Sequence, residues 1–332
     1  MSFKICTVGC GGMSSAVHGP SFKKYAETVP DVHLSACCDL DENKARDYQE
    51  KYGFANYYTD MERMLDIEKP DAVSLIVPEK LTCEIACRIL NLGYPLIMEK
   101  PPGKTVAEID RMIAAAEASG VATRVALNRR YAPHVSKLKE LLAQTNDESK
   151  LQHVRYEFVR IRRTDADFTL TAIHAIDATR FIVGSDYREV SFHYQEFPEL
   201  GPTVANVFMD CVFESGVTAH VSLCPVTGMI TERCVVHCYD NMFLLDIPIW
   251  SGMMTHAAGS LKHIVQGEVV FDDTQLYSQE DQYIASGFYE ENVSFFEDLR
   301  LNRVPAGDLK NARQSVEVME AMRDRLPIYR KV

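Results

Sequence analysis

Glu99-Lys100-Pro101-Pro102 follows a short apolar run at residues 95–98. If that run is a parallel strand, its carboxyl end lies on the edge of an open α/β sheet, where ligands sit. A lysine there faces a crevice, can hold a substrate hydroxyl and can shift its pKa. A solvent-facing loop lysine paired with Glu99 fits the same residues. The prolines disfavour helix before them and keep the backbone extended. A second pattern stands near the start: Gly9-Cys10-Gly11-Gly12-Met13-Ser14, which is G-x-G-x-x-small. It asks for a tight turn at Gly9, close backbone approach to a pyrophosphate at Gly11, and a helix N-terminus with free N–H groups beyond. Asp39 is the third element, a carboxylate placed to accept bonds from ribose hydroxyls and to repel an extra phosphate. It lies 28 residues after Gly11, so a long helix and loop must intervene, and a turn aspartate is its plainer reading. No arginine directly follows it, which favours NAD over NADP.

These residues need strand ends and helix starts to carry them. The first third alternates accordingly: strands at 3–8, 32–38, 72–77, 95–98 and 121–127, and helices at 14–27, 41–52, 80–92 and from Thr105 to about 119. Thr59-Asp60-Met61-Glu62 and Thr105-Val106-Ala107-Glu108 read as capping boxes. Such alternation implies a doubly wound parallel sheet with right-handed crossovers. After Asn128 the character changes. A helix at 133–143 and a polar loop at 144–150 precede strand-like runs at 153–161, 189–196, 205–213, 217–223 and 234–245, interrupted by one helix at 171–183. Helices at 289–301 and 309–326 end the chain. The expected architecture is a Rossmann domain over residues 1–125 and an α+β domain over 126–332 with a large, mainly antiparallel sheet.

Composition narrows the function classes. A net charge of −12 and a pI near 5.3 argue against nucleic acid and anionic membranes as partners. A local basic cluster (Arg155, Arg160, Arg162, Arg163) can still frame a pocket for a polar ligand. No stretch approaches the ~18 apolar residues of a membrane span, and the first residues show no leader pattern. The ten scattered cysteines read as reduced, buried thiols of a cytoplasmic protein rather than a disulfide scaffold. Alternation along a strand separates His237 from Cys234 and Cys238, so no metal is expected there. Gly252-Met253-Met254-Thr255-His256 reads as an ordinary loop near Trp250 rather than a soft-metal site.

The order of these motifs resembles the Gfo/Idh/MocA family of NAD(P)-dependent oxidoreductases, named for glucose-fructose oxidoreductase and inositol dehydrogenase. The glycine motif, the acid ending the second strand and Glu99-Lys100-Pro101 carry the resemblance. So do Asn128-Arg129-Arg130-Tyr131-x-Pro133 and His174-Ala175-Ile176-Asp177, with Phe288-Tyr289-x4-Ser294-Phe295 near the end. The resemblance implies an oxidoreductase acting on a sugar, polyol or keto-sugar. It implies cofactor contacts from Gly9, Cys10, Gly11, Gly12, Met13, Asp39, Val77, Pro78, Glu99, Lys100 and Asn128. Lys100 and His174 would be catalytic, with Arg129 or Arg130 beside the substrate, and a homodimer or homotetramer would form through the second sheet. The chemistry suits these types. Removing a hydride from carbon needs a proton taken from oxygen, which histidine can accept near neutrality while a lysine cation stabilises the alkoxide. Asp177 reads as an anchor of its helix.

The chain departs from the family pattern in two places. Leu170 stands where an aspartate four residues before the histidine is common, and Glu79 and Thr82 follow Pro78 where Asn and His are frequent. Two alternatives therefore stand beside the dehydrogenase. One is an enzyme that oxidises a sugar transiently on retained NAD and returns the hydride; the other is a non-catalytic nucleotide-binding sensor.

Overall fold

The computed structural model describes residues 2–144, 151–250, 257–278 and 281–331, so the soft-metal candidate at 252–256 lies outside the described residues. Contacts divide the chain into two compact units, Met1–Leu127 with Phe288–Arg313, and Asn128–Gly287 with Gln314–Val332. A single cut near residue 125 does not reproduce this partition. The segment from Phe288 joins the first unit because Phe295 and Phe296 sit in the same apolar core as Phe3, Phe22 and Tyr25.

The first unit is a six-stranded parallel sheet in the order β3-β2-β1-β4-β5-β6. Its strands are β1 (Phe3–Val8), β2 (Val32–Cys38), β3 (Asn56–Tyr58), β4 (Ala72–Leu75), β5 (Leu96–Glu99) and β6 (Thr123–Ala126). The helices between them are α1 (Gly19–Thr28), α2 (Glu42–Tyr52), α3 (Met61–Glu68), α4 (Glu79–Asn91) and α5 (Val106–Ser119). The order 3-2-1-4-5-6 reverses direction between β1 and β4, and the carboxyl ends at that switch form the ligand edge. β4 and β5 are buried at every position, as strands covered on both faces must be. Thr105 caps α5 by accepting the Glu108 N–H, as its motif predicts. At α3 the cap is Asp60, whose carboxylate takes the Arg63 N–H, so the Thr59 capping box does not form.

The second unit is built on a nine-stranded sheet in the order β14-β13-β12-β11-β7-β10-β9-β8-β15. These are β7 (Leu151–Val159), β8 (Tyr187–Glu196), β9 (Ala205–Phe213), β10 (Thr218–Cys224), β11 (Thr231–Cys238), β12 (Asn241–Asp246), β13 (Ala257–Val265), β14 (Glu268–Tyr277) and β15 (Ile328–Arg330). All neighbours are antiparallel except β7 and β10. The run read as one strand at 234–245 is a hairpin, because Asp240 turns the chain with φ 54° and lets Cys238 pair with Asn241. Helices α6 (Pro133–Gln144), α7 (Thr169–Val183), α8 (Gln282–Ala285), α9 (Phe288–Arg300) and α10 (Leu309–Arg323) complete the chain. α7 packs on β7 and β10, covering the face that carries Val154, Tyr156 and Phe158. The opposite face carries His153, Arg155 and Glu157, and across the strands His193, Phe208 and His220 stack ring on ring. Cys234 and Cys238 are buried while His237 lies on the other face. No helix among the described residues is long and apolar enough to cross a membrane.

One buried side chain fastens the returning C-terminal segment to the first sheet. Arg124 on β6 donates to the Ala306 and Glu291 carbonyls at 3.0 Å and to Ser294 Oγ at 2.6 Å. It also pairs with Asp298 at 3.1 Å and lies over the Phe295 ring. Removing it strands these acceptors, so Arg124→Ala should destabilise the unit by about 3 kcal/mol. Amide exchange checks this: α9 should lose protection selectively, and unchanged protection there would contradict the role given to Arg124.

Candidate functional site

Gly9 closes the gap between the ends of β1 and β4. Its φ is +99°, and a Cβ there would stand 2.0 Å from the Ile76 carbonyl oxygen, so no other residue fits. Its N–H donates to the Cys38 carbonyl at 2.8 Å, tying the turn to β2 as well. Gly11 and Gly12 are different: a Cβ on either would meet nothing within 4 Å, so their backbone is open to approach. Helix begins at Gly12 and passes through a π turn, Ser14–His18, into α1. The first N–H groups of any helix lack partners within it and carry its positive end, which is what a pyrophosphate requires. Ser14, in the third motif position, is buried and donates to the Tyr48 hydroxyl on α2 at 2.9 Å, so a small polar residue serves there in helix packing.

Asp39 stands just past β2. Its Oδ2 accepts the Cys10 N–H at 2.9 Å and its Oδ1 the Asp41 N–H at 3.0 Å. The carboxylate thus shapes the glycine turn from the carboxyl end of β2. Exposed Leu40 follows it, then Asp41 and Glu42, a run that offers no cation to a 2′-phosphate. Val77 lies against the glycine turn, its Cγ1 3.3 Å from a Cβ built on Gly9, and Pro78 leads into α4. Glu79 pairs with Lys104 at 3.1 Å, whose ammonium holds its carboxyl below the usual range. The residues present fit a dinucleotide.

Glu99 ends β5 and is nearly buried. One carboxylate oxygen lies 2.8 Å from His18 Nε2, and the other accepts the Lys100 N–H at 2.9 Å. Burial pushes its pKa up, but the bond from His18, with the Lys100 charge and N–H, wins and holds it below the ordinary value. Half-buried Lys100 follows, joined to Pro101 by a cis peptide bond. His18 escaped the sequence reading: only its position four residues after Ser14, on the helix the glycine motif opens, points to it.

In the second unit Asn128, Arg129 and Arg130 form a turn of 3₁₀ helix, Asn128–Tyr131, and all three are buried. Asn128 donates to the Ser286 carbonyl at 2.6 Å and accepts from Arg129 at 3.0 Å. Gly287 is obligatory beside it, since a Cβ would lie 2.2 Å from the Asn128 oxygen. Arg129 grips Glu232 on β11 through two nitrogens, at 3.2 and 2.7 Å. Arg160 pairs with the same carboxylate, and Tyr156 donates to it at 2.9 Å. Arg130 grips Asp177 through Nε, at 2.7 Å, and Nη2, and Ser315 Oγ adds a bond at 2.9 Å. The structure therefore places Arg129, Arg130 and Arg160 on buried carboxylates. Nothing in the local sequence marks Glu232, which lies 103 residues from Arg129.

His174 is buried on α7 one turn before Asp177. Of the nearby acids, Asp167 accepts the Thr169 N–H at 3.1 Å, and Asp165 pairs with Arg163. Arg163 also reaches the Thr171 hydroxyl at 2.8 Å. Leu170 places an apolar side chain four residues before His174. No group of three or more acidic, cysteine or histidine side chains that could hold a metal exists among the described residues.

Residues 3–127 match the oxidoreductase family with an NAD-binding Rossmann fold, Gfo/Idh/MocA. Among curated relatives, the D-glucoside 3-dehydrogenase of Escherichia coli is 30% identical over 137 residues, covering 41% of this chain and 38% of that protein. The inositol 2-dehydrogenase of Salmonella typhimurium is 24% identical over 251 residues, covering 69% and 72%. The chain spans less than half the length of the first relatives it matches. A dehydrogenase structure from Chromobacterium violaceum superposes with a TM-score of 0.82 at 22% identity, over 98% of this chain and 95% of that one, and shows the shared fold.

The buried Glu232 cluster yields a pH prediction. Burial raises the Glu232 pKa, but the Arg129 and Arg160 guanidinium groups outweigh it and bring it down to about 2. A depressed carboxylate stabilises the fold above its unfolded pKa of 4.5, and that contribution is lost as pH falls through about 2. Glu232→Gln should cost roughly 3 kcal/mol at neutral pH and flatten the acid limb of stability. Urea denaturation across that range measures it, and an unchanged acid limb would contradict the assignment.

Proposed function

Because residues 3–127 match the oxidoreductase family with an NAD-binding Rossmann fold, Gfo/Idh/MocA, we propose that this chain is an NAD-dependent dehydrogenase of a sugar, polyol or keto-sugar. The observation that carries the reading is the single edge of the parallel sheet. It presents both a glycine turn with an open backbone at Gly11 and Gly12 and the Glu99-Lys100 turn at the end of β5. When bound, NAD supplies the hydride acceptor. The chain does the rest. Gly11, Gly12 and Met13 offer backbone N–H groups to the pyrophosphate, and Asp39 takes the ribose hydroxyls and disfavours a 2′-phosphate. Val77, Pro78 and Asn128 complete the cofactor contacts by resemblance. Lys100 holds the reacting oxygen and stabilises its developing negative charge, and His174 takes its proton. Arg129 and Arg130, bound to Glu232 and Asp177, act as buried supports of the Asn128 turn rather than as free cations toward the substrate. The relatives' names, a glucoside and an inositol dehydrogenase, support a polyhydroxylated substrate. The open face of the nine-stranded sheet carries half-buried Phe208, Val212, Val235 and Leu244, which supports a homodimer or homotetramer through it.

Leu170 favours a second reading, in which the oxidation is transient and the hydride returns to product. A panel of sugars, inositols and glucosides separates the two, with NADH followed by absorbance. The dehydrogenase accumulates NADH with one of them, and Lys100→Ala and His174→Ala each lower kcat/KM by about 100-fold or more. Product without net NADH favours the second reading, and full activity in Lys100→Ala sinks the role given to that lysine.

A further inference from the structure

Resting on the reading of Lys100 above, we infer that His18 is a positioning residue for the reaction, acting through Glu99 on the turn that carries Lys100. The imidazole is almost wholly buried, edge-on to Phe288 with ring centres 5.7 Å apart and 6.0 Å from Phe22. Its two ring nitrogens face Asn292 and Glu99. The Asn292 amide nitrogen donates to the Phe288 carbonyl at 2.7 Å, which can only accept, and the same nitrogen lies 3.1 Å from His18 Nδ1. Asn292 Oδ1 lies 3.4 Å from the same Nδ1, and the Glu99 carboxylate can only accept, so Nε2 carries a proton and donates it to Glu99. Glu99 passes the constraint on, since its second oxygen holds the Lys100 N–H. A continuous hydrogen-bonded path thus runs Asn292, His18, Glu99, Lys100, entirely within the first unit.

The helix is irregular where this path begins. The π turn Ser14–His18 closes a five-residue bond from the Gly19 N–H to the Ser14 carbonyl. Each residue advances an α-helix by about 100°, so the extra one sets the direction in which His18 and everything after it face. Without the His18 donor the Glu99 carboxylate remains buried with one oxygen unsatisfied, a costly state relieved by swinging away or taking up a proton. Either response loosens the anchor of the Lys100 peptide, and a displacement of about 1 Å at a reacting group costs roughly 100-fold in rate.

The test compares His18→Ala and His18→Gln with the parent protein, NAD-loaded, using the panel compound that turns over. Glutamine can return an amide donor to Glu99. His18→Ala should lower kcat by about 30- to 100-fold with KM for NAD within about threefold, and His18→Gln should recover most of the loss. In the Lys100→Ala background the further loss from His18→Ala should vanish, because the two act as one unit. A substrate-free arm measures acetic anhydride labelling of Lys100 by peptide mass spectrometry. Its rate should change in His18→Ala and return in His18→Gln, while exposed Lys44 stays constant. Unchanged Lys100 labelling, or a full additional loss in the Lys100→Ala background, overturns the inference. Should His18→Ala fail to fold, His18→Gln with neither parent kcat nor parent labelling overturns it equally. Full turnover in Lys100→Ala instead sinks the functional reading, a separate result.

Discussion

The turn at residue 9 can cross the end of the parallel sheet only because it has no side chain. A Cβ would sit inside the Ile76 carbonyl, so β1 and β4 could not end side by side. Much follows from that contact. It fixes where the sheet reverses its winding, brings the Cys10 N–H to Asp39 and leads into the helix that starts at Gly12. One helical segment later it delivers His18 to Glu99. Cofactor edge and lysine turn are products of one backbone crossing.

Both units spend buried charge in a similar way. In the first, Glu99 is held between a histidine and a peptide N–H, and Arg124 gathers carbonyls from the returning segment. In the second, Glu232 and Asp177 each accept paired nitrogens from an arginine of the Asn128 turn. Such pairs are weak sources of net stability, since desolvation offsets attraction, yet breaking one leaves an isolated buried charge. Their value is geometric: each fixes a short, irregular segment whose own backbone bonds could not.

Much of this was legible in the sequence because local chemistry determines it. The glycine spacing, the Thr105 cap and the βα alternation each depend on residues within one turn or one strand. The sequence also placed Asp39 and Lys100 at strand ends, where the structure has them. Other features depend on distant partners and left no local trace. Glu232 is an ordinary strand residue until Arg129 and Arg160 meet it, and His18 is an ordinary helix residue until Glu99 does. Residues 288–313 join the first unit through Phe295, Phe296 and Arg124, contacts no periodicity reveals. The hairpin at Tyr239-Asp240 was hidden because a left-handed aspartate turned the chain without a glycine.

The proposed reaction moves a hydride from a substrate carbon to NAD at this sheet edge. The direct measurement uses a polyol deuterated at the reacting carbon, stoichiometric protein and NAD, with the nicotinamide recovered and weighed by mass spectrometry. The deuterium, transferred as deuteride, should appear on the reduced nicotinamide and not in water. A product formed with the label lost to solvent, and none on the nicotinamide, would contradict it.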